Sequence, residues 1–190
     1  MRLPVITLAK KLLFGIALGV LVLIAFYVYY FYSAFNFHSV IEGELYRSAI
    51  LPTRVLEEKV DTNHIRSVLN LTSEGAKNKF TWAEREKELL ANRGVEYYNY
   101  TISARKIVTQ EQMDELIHIM RNAPKPLLVH CKHGADRTGL VSALYLYAVK
   151  QNKKASGSQL SIKYGHDSLG ISESRAMDIS FNNYILAHSK

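Results

Sequence analysis

From Leu12 to Phe37 the chain carries no charged side chain. The run LLFGIALGVLVLIAFYVYYFY (Leu12–Tyr32) has few ways to fold. Crossing a bilayer as a helix takes roughly 20 apolar residues, and this run supplies them. A cleaved leader has a shorter apolar core of about 7–15 residues that ends in small residues. Here the core is longer and its exit is aromatic. A core helix of a soluble protein would show a polar stripe, and this run has none. The expectation is one transmembrane helix over residues 12–34, after a short basic segment (1–11) and before a linker (35–41). Arg2, Lys10 and Lys11 precede the helix, and the first acidic residue is Glu42. The positive-inside bias then keeps the N-terminus cytoplasmic and exports residues 42–190, to the periplasm in a bacterium. Tyr27, Tyr29, Tyr30 and Tyr32, with Phe26, Phe31, Phe35 and Phe37, cluster where an interfacial aromatic belt would sit.

The remaining residues, 42–190, are enough for one ordinary domain with a real core. The single cysteine excludes an intrachain disulfide framework, CxxC redox pairs and Cys-pair zinc sites, so neither metal nor cofactor is expected. An apolar fraction of 48% with 22% charged residues excludes a disordered or collagenous chain. The formal charge of +7 includes three basic residues before position 40, so +4 belongs to the domain. No basic stripe or nucleic-acid motif accompanies it, which sets nucleic acid aside as a partner.

Within the domain, Val68–Leu71, Val95–Tyr100 and Leu127–His130 are short apolar or β-prone runs that predict buried strands. Thr81-x-x-Glu84 and Thr109-x-x-Gln112 have the form of capping boxes and predict helices through Ala91 and up to Pro124. Further helices are predicted from Thr138 to about Gln151 and from Ser172, the latter with Met177, Phe181, Tyr184 and Ile185 at core spacing. This alternation predicts an α/β fold, a central, mostly parallel sheet flanked by helices, preceded by the one transmembrane helix.

The chemistry is concentrated in residues 126–140, PLLVHCKHGADRTGL. The lone Cys131 follows a strand, Gly134 sits in the ensuing loop, Arg137 comes six residues after the cysteine, and a helix follows. Successive loop N–H groups and a helix N-terminus together form an oxyanion cradle. Arg137 adds a planar fork that matches two phosphate oxygens. The same positive field favours a thiolate at the start of the loop. A thiolate aimed at a bound phosphate is a nucleophile for phosphoryl transfer through a phosphocysteine.

The string His130-Cys131-(five residues)-Arg137-Thr138 resembles the signature of the cysteine-based protein-tyrosine and dual-specificity phosphatases. Upstream, Glu44-Leu45-Tyr46-Arg47-Ser48, Leu51-Pro52 and Ile65–Leu71 resemble the opening of the small dual-specificity-like domain, so the likeness covers nearly all of residues 42–150. The resemblance implies that Cys131 is the nucleophile and that Arg137 binds the phosphoryl group. It implies a cradle of backbone at Lys132, His133, Gly134, Ala135 and Asp136. It gives supporting roles to His130, which orients the loop and tunes the thiol, and to Thr138, which donates to the thiolate.

One part of that pattern is missing. The family places an Asp on a separate loop to protonate the leaving oxygen, and the corresponding stretch here, Thr101–Val108 (TISARKIV), has no acid. Glu96 and Glu111 fall in a strand and a helix first turn. Asp136, inside the phosphate loop, is the remaining candidate. Beside a bound dianion it is either protonated, and then a general acid, or turned away, and then a brace. Phosphotyrosine on protein is the family's default substrate. Arg105 and Lys106, with Lys132 and His133, could instead form a basic rim suited to a phosphoinositide, an inositol phosphate or a phospholipid head group. Arg105 and Lys106 also read as ordinary solvated charges. A catalytically weak phosphate-binding module is the further alternative, resting on the missing acid. An exported thiolate would face oxidation, which argues against the exported topology.

Overall fold

The computed structural model describes residues 3–73, 82–167 and 172–189. The chain divides into two units, residues 1–34 and 35–190. The first is a helix, α1 (Leu3–Ser33). It begins nine residues before the expected span, because nothing in the segment around Lys10 and Lys11 breaks a helix. Its stretch Lys10–Tyr29 is long and apolar enough to cross a membrane. Its large apolar side chains from Leu12 to Tyr29 are exposed.

The second unit is a five-stranded sheet covered on both faces by helices. In chain order it holds β1 (His38–Ile41), β2 (Leu45–Ala49), α2 (Thr53–Thr62), β3 (Ser67–Asn70), α3 (Trp82–Asn92), β4 (Glu96–Asn99), α4 (Gln110–Asn122), β5 (Leu127–Cys131), α5 (Asp136–Leu144), α6 (Lys153–Ser156) and α7 (Arg175–His188). The strand order is β1-β2-β5-β3-β4; only the β1–β2 pair is antiparallel. The expected α/β fold with a mostly parallel sheet is thus present. The expected linker is not. Residues 35–41 contain the edge strand β1, the Phe35 carbonyl accepts from Ala49 N at 2.8 Å, and the Phe37 ring stacks on Tyr46 at 5.6 Å. Aromatic residues that read as a belt are, at these two positions, packing for the domain.

Side chains alternate along the central strand β5, as a pleated strand requires. Leu127, Val129 and Cys131 join the cluster formed with Met113, Leu116 and Met120 of α4, Leu140 and Leu144 of α5, and Met177 and Phe181 of α7. Leu128 faces the other way, into the cluster with Leu56 and Val60 of α2 and Leu90 of α3. α4 starts at a complete capping box: Gln112 N donates to Thr109 Oγ1 at 3.3 Å, and Thr109 N donates to Gln112 Oε1 at 3.1 Å. The expected cap of α3 at Thr81 lies outside the described residues. α5 runs on through one wide turn at Tyr145–Val149, so the expected helix to Gln151 ends slightly early and under-wound. α7 begins three residues after Ser172.

Candidate active site

Parallel strands β2, β5 and β3 end along one edge, where ligands of open α/β sheets bind. β5 is paired on both sides, with Ala49 opposite Cys131 and Asn70 opposite His130. Cys131 therefore sits at the end of the most constrained strand, buried. The loop that follows can turn tightly because Gly134 adopts φ +69°. A Cβ at Gly134 would lie 2.5 Å from Ala49 N and Ser48 C, so the loop rests directly on the backbone of β2. α5 then starts after Ala135, which supplies no side-chain cap, leaving the first helical N–H groups to the site.

Three successive loop carbonyls are held from behind. Asn36 Nδ2 donates to His133 O at 3.0 Å. Arg47 Nη2 donates to Gly134 O at 2.8 Å and to Ala135 O at 3.3 Å. With the carbonyls drawn to the back, the loop N–H groups are left for the front, which is the arrangement of an anion nest. Both braces are themselves fixed. The Asn36 amide also donates to Tyr164 O at 3.0 Å, and its oxygen contacts His38 Nε2 at 3.1 Å. Arg47 is fully buried, donates through Nη1 to Gln159 O (3.0 Å) and Oε1 (2.8 Å), and lies 3.8 Å over the Tyr164 ring. Burial pushes its pKa down to about 10, against the negative fields of Tyr164 and Cys131, so it is a cation at neutral pH. Its charge is one of those felt at the thiol.

Arg137 is oriented by a bond from Nη1 to Leu71 O at 3.3 Å, while its buried Nε has no partner among the described residues. Buried Thr138 Oγ1 is likewise unpartnered among them. Both therefore keep hydrogen-bonding capacity for the site. Buried His130 points to the opposite face of the sheet, with Nε2 3.0 Å from Glu86 Oε1 of α3 and its ring edge-on to Trp82. Lys132 and His133 carry exposed side chains on the loop. Asp136 Oδ1 lies 2.7 Å from Nδ1 of buried His166, whose Nε2 is 3.0 Å from Asp178 Oδ2. Burial lowers the pKa of His166, but hydrogen bonds to, and charge on, the two carboxylates outweigh it, and the net shift is upward.

In the segment Thr101–Val108 the side chains of Arg105 and Lys106 are both exposed. Arg105 pairs with Glu173 (Nε to Oε2, 3.1 Å), and the cleft beside it is lined by Asp136, Asp167 and Glu173 as well as Arg105. No sequence pattern assigns a role to Asn36, Arg47, Glu86, His166 or Asp178. Only Arg47 carries a signal, as a lone cation inside an otherwise buried strand.

The model of the tyrosine phosphatase family matches residues 33–155. No match was found among curated proteins. Among solved structures the fold is similar to that of TpbA from P. aeruginosa, with 22% identity over 83% of this chain and 93% of that one, and a TM-score of 0.57. It is also similar to the core catalytic domain of the PP-IP phosphatase SIW14 from S. cerevisiae, with 20% identity over 80% of this chain and 89% of that one, and a TM-score of 0.56. The family match spans the braced loop, both strands beside it and the Asn36–Arg47 support, and the chain accordingly belongs to the tyrosine phosphatase family and is a cysteine-dependent phosphatase.

Proposed function

We propose that the chain is a membrane-anchored phosphomonoester hydrolase that acts on phosphotyrosine in proteins through a phosphocysteine on Cys131. The observation that carries this reading is the loop after β5, with its carbonyls at His133, Gly134 and Ala135 held back by Asn36 and Arg47. Such a loop offers preorganised donors to the phosphoryl oxygens, and Arg137 closes the cradle with its guanidinium. The Cys131 sulfur attacks phosphorus as the bond to the leaving oxygen breaks, and Asp136 gives that oxygen a proton. Water then attacks the phosphocysteine, its proton passes to the Asp136 carboxylate, and the thiolate departs with phosphate released. α1 anchors the domain, with its N-terminus on the cytoplasmic side.

A protein substrate, dual-specificity or tyrosine-specific, is preferred over a polyphosphorylated inositol or lipid head group on charge. The cleft beside Asp136 places three carboxylates around Arg105, which suits a monoester better than a polyanion. The similar TpbA has been solved, as a cysteine-to-serine variant, in complex with pTyr. The test uses Cys131→Ser in the full chain. Hydrolysis of phosphotyrosine peptides should vanish, and vanadate should block the parent protein. Residual turnover in Cys131→Ser would overturn the phosphocysteine. A higher kcat/KM on inositol polyphosphates or phosphorylated lipids than on phosphopeptides would overturn the substrate class.

A further inference from the structure

His166 is unusual among the buried groups, because both ring nitrogens meet carboxylates on two different helices. The left-handed turn at Gly165 (φ +78°) and the bond from His166 N to Ser161 O at 3.2 Å turn the ring inward. Its side chain is 0% exposed, whereas those of Asp136 and Asp178 are 25% and 33% exposed. With Oδ1 of Asp136 and Oδ2 of Asp178 both unprotonated, the contacts of 2.7 Å and 3.0 Å need each ring nitrogen to donate, which makes the ring an imidazolium. The charged groups facing it are Asp136 from α5 and Asp178 from α7. Arg47 lies on the ring of Tyr164, two residues before His166 in sequence, and Asp167, Arg105 and Glu173 line the cleft that Asp136 shares.

That cleft is also lined by Ala104, in the stretch where the resemblance places the missing acid loop. The Asp136 side chain thus reaches the region from which a leaving group would be protonated. A carboxylic acid is a good directional donor when one oxygen is fixed and the other is free. We infer that His166 and Asp178 are a positioning pair for Asp136: the imidazolium holds Oδ1, and the other oxygen carries the proton to the leaving group. This rests on the reading of Asp136 as the acid. A lone imidazolium beside Asp136 would hold it ionised. Asp178 on the far nitrogen balances that charge, so His166 orients Asp136 without forcing its proton off. A phosphate dianion bound on the loop favours the neutral form of a neighbouring carboxyl group. In the first step the Asp136 proton moves to the leaving oxygen as the S–P bond forms. In the second, Asp136 regains a proton from the attacking water as the S–P bond breaks. The two ring protons stay on His166 throughout.

The experiment compares pH profiles of kcat/KM for the full chain, purified in detergent, on phenyl phosphate and on dinitrophenyl phosphate. Only the first has a leaving group that needs a proton. Asp136→Asn should cost about 100-fold on phenyl phosphate and little on the dinitrophenyl ester. His166→Gln should cost about 10-fold on phenyl phosphate, in kcat rather than KM, with the dinitrophenyl ester again spared. Asp178→Asn leaves the imidazolium unbalanced, so the basic limb of the phenyl phosphate profile should move to lower pH. If Asp136→Asn is selective but His166→Gln and Asp178→Asn affect both esters equally and move no limb, the pair is only scaffold and the inference fails. If Asp136→Asn itself affects both esters equally, the acid reading fails first. Should His166→Gln not fold, Asp178→Asn decides, since its side chain is at the partly exposed end of the chain of bonds.

Discussion

Two loops at the same edge of the sheet are built in opposite ways. The loop from Cys131 to Arg137 has backbone braces at three consecutive residues, and its glycine touches the neighbouring strand. The segment Thr101–Val108 is tied to the core near its ends, by buried Ile102 and Val108 and by the bond from Val108 N to Ser180 Oγ at 2.9 Å, and its middle by the exposed Arg105–Glu173 pair. Between them Arg105, Lys106 and Ile107 are exposed. The first loop must hold donors where charge develops on phosphorus, and misplacement there is costly. The second needs no such precision, because the acid that the family normally keeps on it is absent. Precision in this molecule is concentrated in the loop that carries both Cys131 and Asp136.

Mutations should expose that contrast, and Gly134→Ala should have the largest effect. Its new Cβ would collide with the backbone of Ser48 and Ala49, in a left-handed conformation that alanine resists. Overpacking and strain together should cost about 3 kcal/mol, and the displaced loop about 100-fold in kcat. Thermal unfolding and phosphotyrosine hydrolysis would measure both, and near-normal turnover would mean that the loop is not rigidly seated. A smaller effect is expected for Asn36→Ala, which leaves the carbonyls of His133 and Tyr164 without their donor. A loss of about 1–3 kcal/mol should appear in chemical denaturation. Turnover should fall with it, whereas a stability loss with unchanged kcat would reduce Asn36 to a packing residue. At the small end, Arg105→Ala should leave both Tm and kcat on an aryl phosphate essentially unchanged. Its pair with Glu173 is solvent-exposed, at 77% and 70% for the two side chains, and such pairs contribute little. A large fall in kcat would show that the open loop takes part in catalysis.

How much of this is legible in the sequence differs by element. β3, β4 and β5 are visible as short apolar runs, and α4 is visible from its capping box and its core-facing Met113, Leu116, Ile117 and Met120. Four elements have no counterpart in those patterns: β1, β2, α2 and the short α6. β1 is a four-residue edge strand with a half-buried pattern, and β2 hides a guanidinium where an apolar side chain would be expected. Arg47 is tolerated there because Gln159, Gly134 and Ala135 supply oxygens and Tyr164 a π face, and none of these is near it in sequence.

The sequence by itself determined what is contiguous. An uninterrupted apolar run gives a helix whatever surrounds it, and a cysteine, five residues and an arginine between a strand and a helix place the parts of an anion loop next to one another. The tertiary structure decided what is assembled across distance. Asn36 reaches His133 over 97 positions, Arg47 reaches Gln159 over 112, and His166 joins Asp136 to Asp178. Such contacts form only when the sheet brings its strand ends to one edge. A side chain's role there depends on which buried carbonyl or carboxylate would otherwise lack a partner, and no local pattern records that.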